Sequence, residues 1–160
     1  MIDGVIIKPL VAHPDIPDMA GEESSGFLLE VVRSDENLLK NFGQSIFTVS
    51  HRKGTIKAFH WHEQQDDVWF VATGKVRVVL YDRRPDSTTK GETHVISAGT
   101  DDYKVIVIPV GVAHGYQVLT DEPVMLFYHV TEPYNPAHPD EQRLSPHDAE
   151  INFDWTLPTS

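Results

Sequence analysis

Apolar and polar residues alternate with a period of two along most of this chain. Short stretches rich in Val, Ile, Phe and Tyr are cut apart by Gly, Pro, Asp and Asn. That is the pattern of half-buried strands, not of amphipathic helices. It predicts strands over 4–10, 27–32, 45–51, 56–62, 68–73, 75–82, 93–97, 103–109, 115–120 and 124–131. One segment breaks the pattern. SDENLLKNFG (34–43) reads as a short helix, with Ser34 or Asp35 as cap, Leu38, Leu39 and Phe42 on one side, and Gly43 as stop. Residues 13–26 read as a polar loop. Residues 132–160 are Pro-rich and irregular, yet Tyr134, Leu144, Phe153, Trp155 and Leu157 need burial, so an ordered C-terminal arm is expected. About ten short strands and no internal repeat predict a single all-β domain over 1–160, a sandwich or small barrel with its core strands at about 27–131.

Composition narrows the function classes. The 160 residues are 40% hydrophobic, enough for a packed core. No apolar run approaches the ~18 residues of a spanning helix, and the N-terminus carries no leader pattern. A soluble, cytoplasmic protein with no membrane partner is the expectation. Cysteine is absent, which excludes disulfides, thiolate zinc sites and cysteine nucleophiles. A formal net charge of −11 argues against nucleic-acid binding.

Candidate chemistry concentrates in GTIKAFHWHEQQDDVWFVATG (54–74). Strand alternation puts His60 and His62 on one face, with Ala58. Two imidazoles on one face suit proton transfer or a divalent cation; two structural histidines are the third alternative. Gly54, His60, His62, Asp67 and Gly74 are spaced in a way that resembles the first signature motif of the cupin superfamily. Asp67 stands where that motif has Glu. PVGVAHG (109–115) resembles the second motif, through Pro109, Gly111 and His114. The resemblance implies a jelly-roll sandwich or barrel. In the metal-binding branches it implies one divalent ion on His60, His62, Asp67 and His114.

Over nearly its whole length the chain resembles one cupin branch more closely: the dTDP-4-dehydrorhamnose 3,5-epimerase family, which needs no cofactor. The resemblance is carried by GFLLEVVRSDE (26–36), GTIKAFHWH (54–62), LYDRRPDSTTKG (80–91), VIPVGVAHGYQVL (107–119), LFYHVTEPYNP (126–136) and DAEINFDWTLP (148–158). It implies a 3- and/or 5-epimerase of a nucleotide-linked 4-keto-6-deoxyhexose. It places His60 on the catalytic base, Tyr128 on the catalytic tyrosine and Asp148 on the acidic partner of the base. Lys57, His62, Asp82, His114 and Tyr116 fall on substrate-binding positions. The chemistry is consistent with those types. A 4-ketone acidifies the hydrogens on C3 and C5, histidine has a pKa suited to removing one, a carboxylate can support the imidazolium, and a phenol can return a proton to the opposite face.

The chain departs from the family in the site itself. Asp67 replaces a lysine that helps hold the enolate oxygen, and His62 replaces a glutamine. Two arginines correspond to Ser25 and Lys57, the latter keeping charge without the bidentate fork. QSIFTVS (44–50) does not reproduce the family's QDNHS. Three readings follow: an epimerase or related isomerase of altered substrate, a metal-dependent cupin enzyme, and a sugar-binding cupin without catalysis. The first two exclude each other at His60, because a metal-bound imidazole is not a free base. A homodimer is expected, with the apolar 4–10 segment reaching a neighbouring subunit to cover an edge strand.

Overall fold

The computed structural model describes residues 1–15 and 26–158. Twelve strands lie among them: β1 (Ile6–Pro9), β2 (His13–Pro14), β3 (Phe27–Leu28), β4 (Gln44–Ser50), β5 (Ile56–His62), β6 (Asp67–Thr73), β7 (Lys75–Asp82), β8 (Thr93–Gly99), β9 (Lys104–Ile108), β10 (Val112–Val118), β11 (Val124–Val130) and β12 (Glu141–Arg143). Ten of them form two antiparallel five-stranded sheets, in the orders β1-β9-β6-β11-β4 and β12-β5-β10-β7-β8. The sheets face each other across Trp69, Val71, Val78, Leu80, Ile96, Ile106, Ile108, Tyr116, Val118 and Leu126. This is the all-β jelly-roll sandwich that the alternation predicts, since each strand buries one face and shows the other.

Three segments differ from the expectation. The predicted helix is a single 3-10 turn at Ser34–Glu36, without a side-chain cap, ended by Asn37 in the left-handed region at φ 54°. Leu38 and Leu39 pack on Val68, Val105 and Val107 from an irregular chain instead. Phe42 is 70% exposed and has no place in that contact. A short uncapped helix is marginal, and packing of two leucines does not require one. The strand expected at 27–32 shrinks to Phe27–Leu28, paired with His13–Pro14, and most of the polar loop lies outside the described residues. β1 pairs within its own subunit, Ile6 to Val107 and Lys8 to Val105. It is thus an edge strand of its own sheet, paired on one side with β9.

The arm is ordered. Asp140 accepts hydrogen bonds from the backbone N–H groups of Glu63, Gln64 and Gln65 at 3.0, 3.0 and 3.1 Å. β12 then adds to the edge of β5, and Ile151 and Trp155 cover Phe59, Val79 and Tyr81 on the outer face of the second sheet.

The register between β5 and β10 shifts inside the motif. His60 stands opposite His114, but Lys57 stands opposite Tyr116, so Ala58 and Phe59 share the place facing Gly115. This two-against-one bulge changes the parity of β5. Lys57 turns to the inner side with His60, where strict alternation had put Ala58. A Cβ on Gly115 would lie 2.3 Å from Ala58 Cβ and 2.7 Å from the Lys57 carbonyl oxygen, so a side chain there has no room. Gly115→Ala is expected to lower unfolding stability by about 1–3 kcal/mol, the scale of an overpacking substitution. Chemical denaturation measures it, and an unchanged midpoint would show that the bulge accepts a methyl group.

Candidate active site

A cavity of about 330 Å³ opens between the sheets, lined by Lys57, His60, Tyr116, Tyr128, Glu141 and Arg143 among others. His60 comes from the second sheet and Tyr128 from the first. Each ring lies against the Trp69 indole, at centroid distances of 6.0 Å and 5.5 Å and tilted by 30° and 29°. One imidazole and one phenol thus reach a common space from opposite walls. Burial and the neighbouring His114 push the His60 pKa down to about 2, so the ring is neutral and carries a free lone pair. Burial pushes the Tyr128 phenol up to about 12, so it keeps its proton. One group thus rests with a lone pair and the other with a proton, and burial weakens each as base and as acid.

Behind His60 lies a buried polar cluster. Asp67 is 2% exposed. Its Oδ2 accepts a hydrogen bond from Trp69 Nε1 at 2.9 Å and its Oδ1 one from Gln65 Nε2 at 2.7 Å. Burial works to raise its pKa, but His114, His62 and the Trp69 N–H outweigh it and hold the carboxyl well below the usual range. His114 Nδ1 donates to the Val112 carbonyl oxygen at 2.9 Å, which turns Nε2 toward Asp67 Oδ2 at 3.5 Å. The His114 ring packs edge-on against His60 at 4.1 Å. His62 Nε2 lies 3.2 Å from the Gln65 amide nitrogen, with Asp67 Oδ1 at 3.7 Å. Burial lowers the His62 pKa as well.

The structure brings together all four residues of the alternative metal set. One donor atom from each of His60, His62, Asp67 and His114 lies within 4.8 Å of the others. Part of their hydrogen bonding is made within the cluster. Both Asp67 oxygens accept N–H bonds, and the Gln65 amide sits between His62 and Asp67 where an ion would bind. Two buried side-chain nitrogens among the described residues have no hydrogen-bond partner, His62 Nδ1 and His114 Nε2. The first is directed out of the cluster, 3.9 Å from Asp140. A cation held by all four residues has to displace the Gln65 amide, while the unpartnered His114 Nε2 faces Asp67 Oδ2 at 3.5 Å.

Two residues expected in the site lie elsewhere. The Asp148 carboxylate caps a turn of the arm, accepting from the N–H groups of Glu150 and Ile151 at 3.0 and 3.2 Å. That turn packs with Ile151 against Phe59 and Tyr81, on the outer face of the sheet whose inner face carries His60. The carboxylate near His60 is Asp67. Asp82 is fully buried, where it accepts hydrogen bonds from the Arg84 guanidinium, Ser87 and Thr89. Burial opposes its charge, but these donors outweigh it and hold the carboxyl below the usual range. It organises the 83–91 loop and lines no cavity described above.

Tyr116 lines the cavity with its ring, while its hydroxyl is bonded to Ser50 Oγ at 3.0 Å. Lys57 Nζ donates to Thr48 Oγ1 at 3.0 Å and lies 5.9 Å from the Tyr116 ring centre. His62 faces a second cavity, of about 320 Å³, with Gln44, Gln65, Tyr134, His138 and Asp140. His129 points to the outer face beside Phe70 and Phe127, as its parity opposite to Tyr128 requires. Glu141 and Arg143 were not foreseen, because a three-residue strand in a Pro-rich arm has no periodicity to detect.

Comparison with known proteins agrees with this geometry. A family model described as dTDP-4-dehydrorhamnose 3,5-epimerase matches residues 4–160. The spore coat polysaccharide biosynthesis protein SpsL of Bacillus subtilis is 50% identical over 155 residues, which cover 97% of each chain. Among solved structures, a dTDP sugar isomerase from Desulfovibrio desulfuricans superposes with a TM-score of 0.82 at 26% identity, covering 96% of this chain and 92% of that one. The dTDP-6-deoxy-D-glucose-3,5-epimerase of Legionella pneumophila, solved with dTDP-4-keto-L-rhamnose, gives 0.80 at 26% identity, covering 99% and 81%. With a family model spanning nearly its full length and a jelly roll that holds an imidazole and a phenol across one cavity, this chain belongs to the dTDP-4-dehydrorhamnose 3,5-epimerase family.

Proposed function

We propose that the protein epimerises a nucleotide-linked 4-keto-6-deoxyhexose at C3, C5 or both, without a metal or organic cofactor. The observation that carries this reading is neutral His60 and protonated Tyr128 lining one cavity from the two facing sheets, both in contact with Trp69. His60 takes the proton from a carbon next to the ketone. The C–H electrons move into an enolate, and Tyr128 returns a proton to the opposite face of that carbon. The imidazolium so formed is opposed by the same burial that keeps His60 neutral, and the buried Asp67 charge offsets it. Lys57 faces the cavity and supplies a cation for the phosphates of the substrate. The polysaccharide role named for the Bacillus relative suggests that the product enters a polysaccharide. As an enzyme of activated-sugar metabolism, the protein works in the cytoplasm.

Solvent deuterium tests the two roles together. Wild-type protein is expected to incorporate deuterium at carbons beside the 4-keto group of a dTDP-linked sugar. His60→Ala should lose that exchange, and Tyr128→Phe should retain exchange while forming epimer about 100-fold more slowly, within the range of general-acid contributions. Equal exchange by wild type and His60→Ala would remove His60 from the chemistry.

The cofactor reading has its own measurement. Protein purified without added metal or affinity resin should contain well under one ion per chain, and chelators should leave turnover unchanged. A stoichiometric ion that disappears in His62→Ala would instead make the cluster a metal centre.

The same reading includes a homodimer. Its support is the outer face of β4 and β11, where Phe47 is 51% exposed and stacks on Phe127 at 4.8 Å, beside exposed Met125. An apolar strip on a flat sheet face is a self-complementary surface for a two-fold partner. Light scattering at micromolar concentration should give twice the 18.0 kDa chain mass, and Phe47→Glu should give the single mass. A single mass for the wild type excludes the dimer.

A further inference from the structure

Proton removal beside a ketone places a full negative charge on the ketone oxygen, and such a charge requires a donor held beside it. The cavity offers few. The Tyr116 hydroxyl is engaged with Ser50, and the Lys57 ammonium, bonded to Thr48, is assigned above to the substrate's phosphates. Tyr128 has a proton to deliver elsewhere. Asp67, the nearest buried charge, is an anion. Arg143 is the cation that remains.

Its place is set by the backbone. β12 pairs with β5 so that Arg143 lies directly opposite His60 and Glu141 opposite His62. Adjacent strands lie about 4.8 Å apart, so Arg143 is rooted one strand away from the base. Its side chain lines the same cavity and its charge is felt at the His60 ring. Glu141 holds the guanidinium through Nε. The two terminal nitrogens of Arg143 form no hydrogen bond among the described residues, so two donors of a planar fork remain for a ligand. The residue is 81% exposed, on the open side of the cavity. Arm residues are anchored on either side of it: Asp140 is bonded to the 63–65 turn, and the Leu144 backbone is bonded to Phe59 in both directions, at 2.9 and 3.1 Å.

We infer that Arg143 is a catalytic residue: its guanidinium binds the ketone oxygen of the substrate and carries the negative charge that develops there while His60 removes the neighbouring proton. No bond to Arg143 forms or breaks. It donates hydrogen bonds to a carbonyl oxygen in the ground state and to an enolate oxygen in the intermediate, and the second interaction is the stronger because the oxygen is then charged.

This inference rests on the epimerase reading above, and one set of measurements separates the two. The probes are a dTDP-linked 4-keto-6-deoxyhexose for turnover and deuterium exchange, and dTDP alone for binding. Arg143→Gln should lower the exchange rate at saturating substrate by about 100-fold or more, the effect of losing an oxyanion donor. KM and the Kd for dTDP should stay within about 3-fold, because this interaction is made most strongly in the transition state. Arg143→Lys should fall between, keeping the charge without the fork. The side chain is exposed and the β12 pairing uses backbone groups, so both variants should melt at the wild-type temperature. Exchange by Arg143→Gln at the wild-type rate overturns the inference. A loss confined to KM and dTDP affinity also overturns it, by placing Arg143 on the phosphates. A wild type that neither exchanges nor epimerises any such sugar overturns the epimerase reading, and this inference with it.

Discussion

The buried carboxylate of Asp67 is the constraint around which the site is built. An ion removed from water costs several kcal/mol unless its lone pairs are met by donors. Here they are met by Trp69 and Gln65. Each donor is fixed in return. Trp69 cannot turn without breaking its bond to Asp67, and Trp69 is the surface on which His60 and Tyr128 both rest. Gln65 spans Asp67 and His62, and the backbone of the same turn is held by Asp140 of the arm. A single charge thus connects the floor of the cavity, both motif histidines and the C-terminal arm. A core of aliphatic residues at these positions would pack as well but would not orient the rings.

Much of this was legible in the sequence because strand periodicity is a local property. Inner and outer positions of β7, β9 and β10 follow alternation, and opposite parity on β11 puts His129 outside and Tyr128 inside. His60, His62 and Asp67 in one motif and His114 in the other were visible in the sequence, and the structure brings these four to one cluster. What alternation could not show is the bulge. A two-against-one register depends on which strand pairs with β5 and on the missing side chain at Gly115, 55 residues after His60 in the sequence. That nonlocal fact decides that Lys57 enters the cavity.

The arm was the least legible part, and the misplacement of Asp148 shows why. A carboxylate in an irregular segment carries no periodicity, so only the order of motifs suggested its role. Its backbone surroundings decide otherwise: Asp148 meets two free N–H groups of its own turn, a local bond that an Asp side chain makes readily. The segment that carries it is drawn to the outer face by Ile151 and Trp155, whose burial against Phe59, Val79 and Tyr81 offsets the entropy of ordering a long irregular tail. Hydrophobic burial therefore sets the course of the arm, and that course sends Asp148 away from the base while laying Glu141 and Arg143 along the edge of β5.

The charges in the cavity then compensate one another. Asp67 brings a negative charge to the inner end of the site. An enolate forming near it gains nothing from that charge and needs a cation on its other side. Lys57 and Arg143 are the two cations that line the cavity, and both enter through features outside simple alternation, one by a bulge and the other on an added edge strand. Both lie toward solvent, whereas Asp67 is enclosed. This polarity, with the anion inside beneath the imidazoles and the cations outside where an anionic nucleotide sugar arrives, separates two electrostatic tasks. The inner charge favours the imidazolium left by proton abstraction, and the outer charges favour the bound phosphates and the enolate oxygen. In a protein of net charge −11, that local reversal of sign is what allows a negatively charged substrate to be held at all.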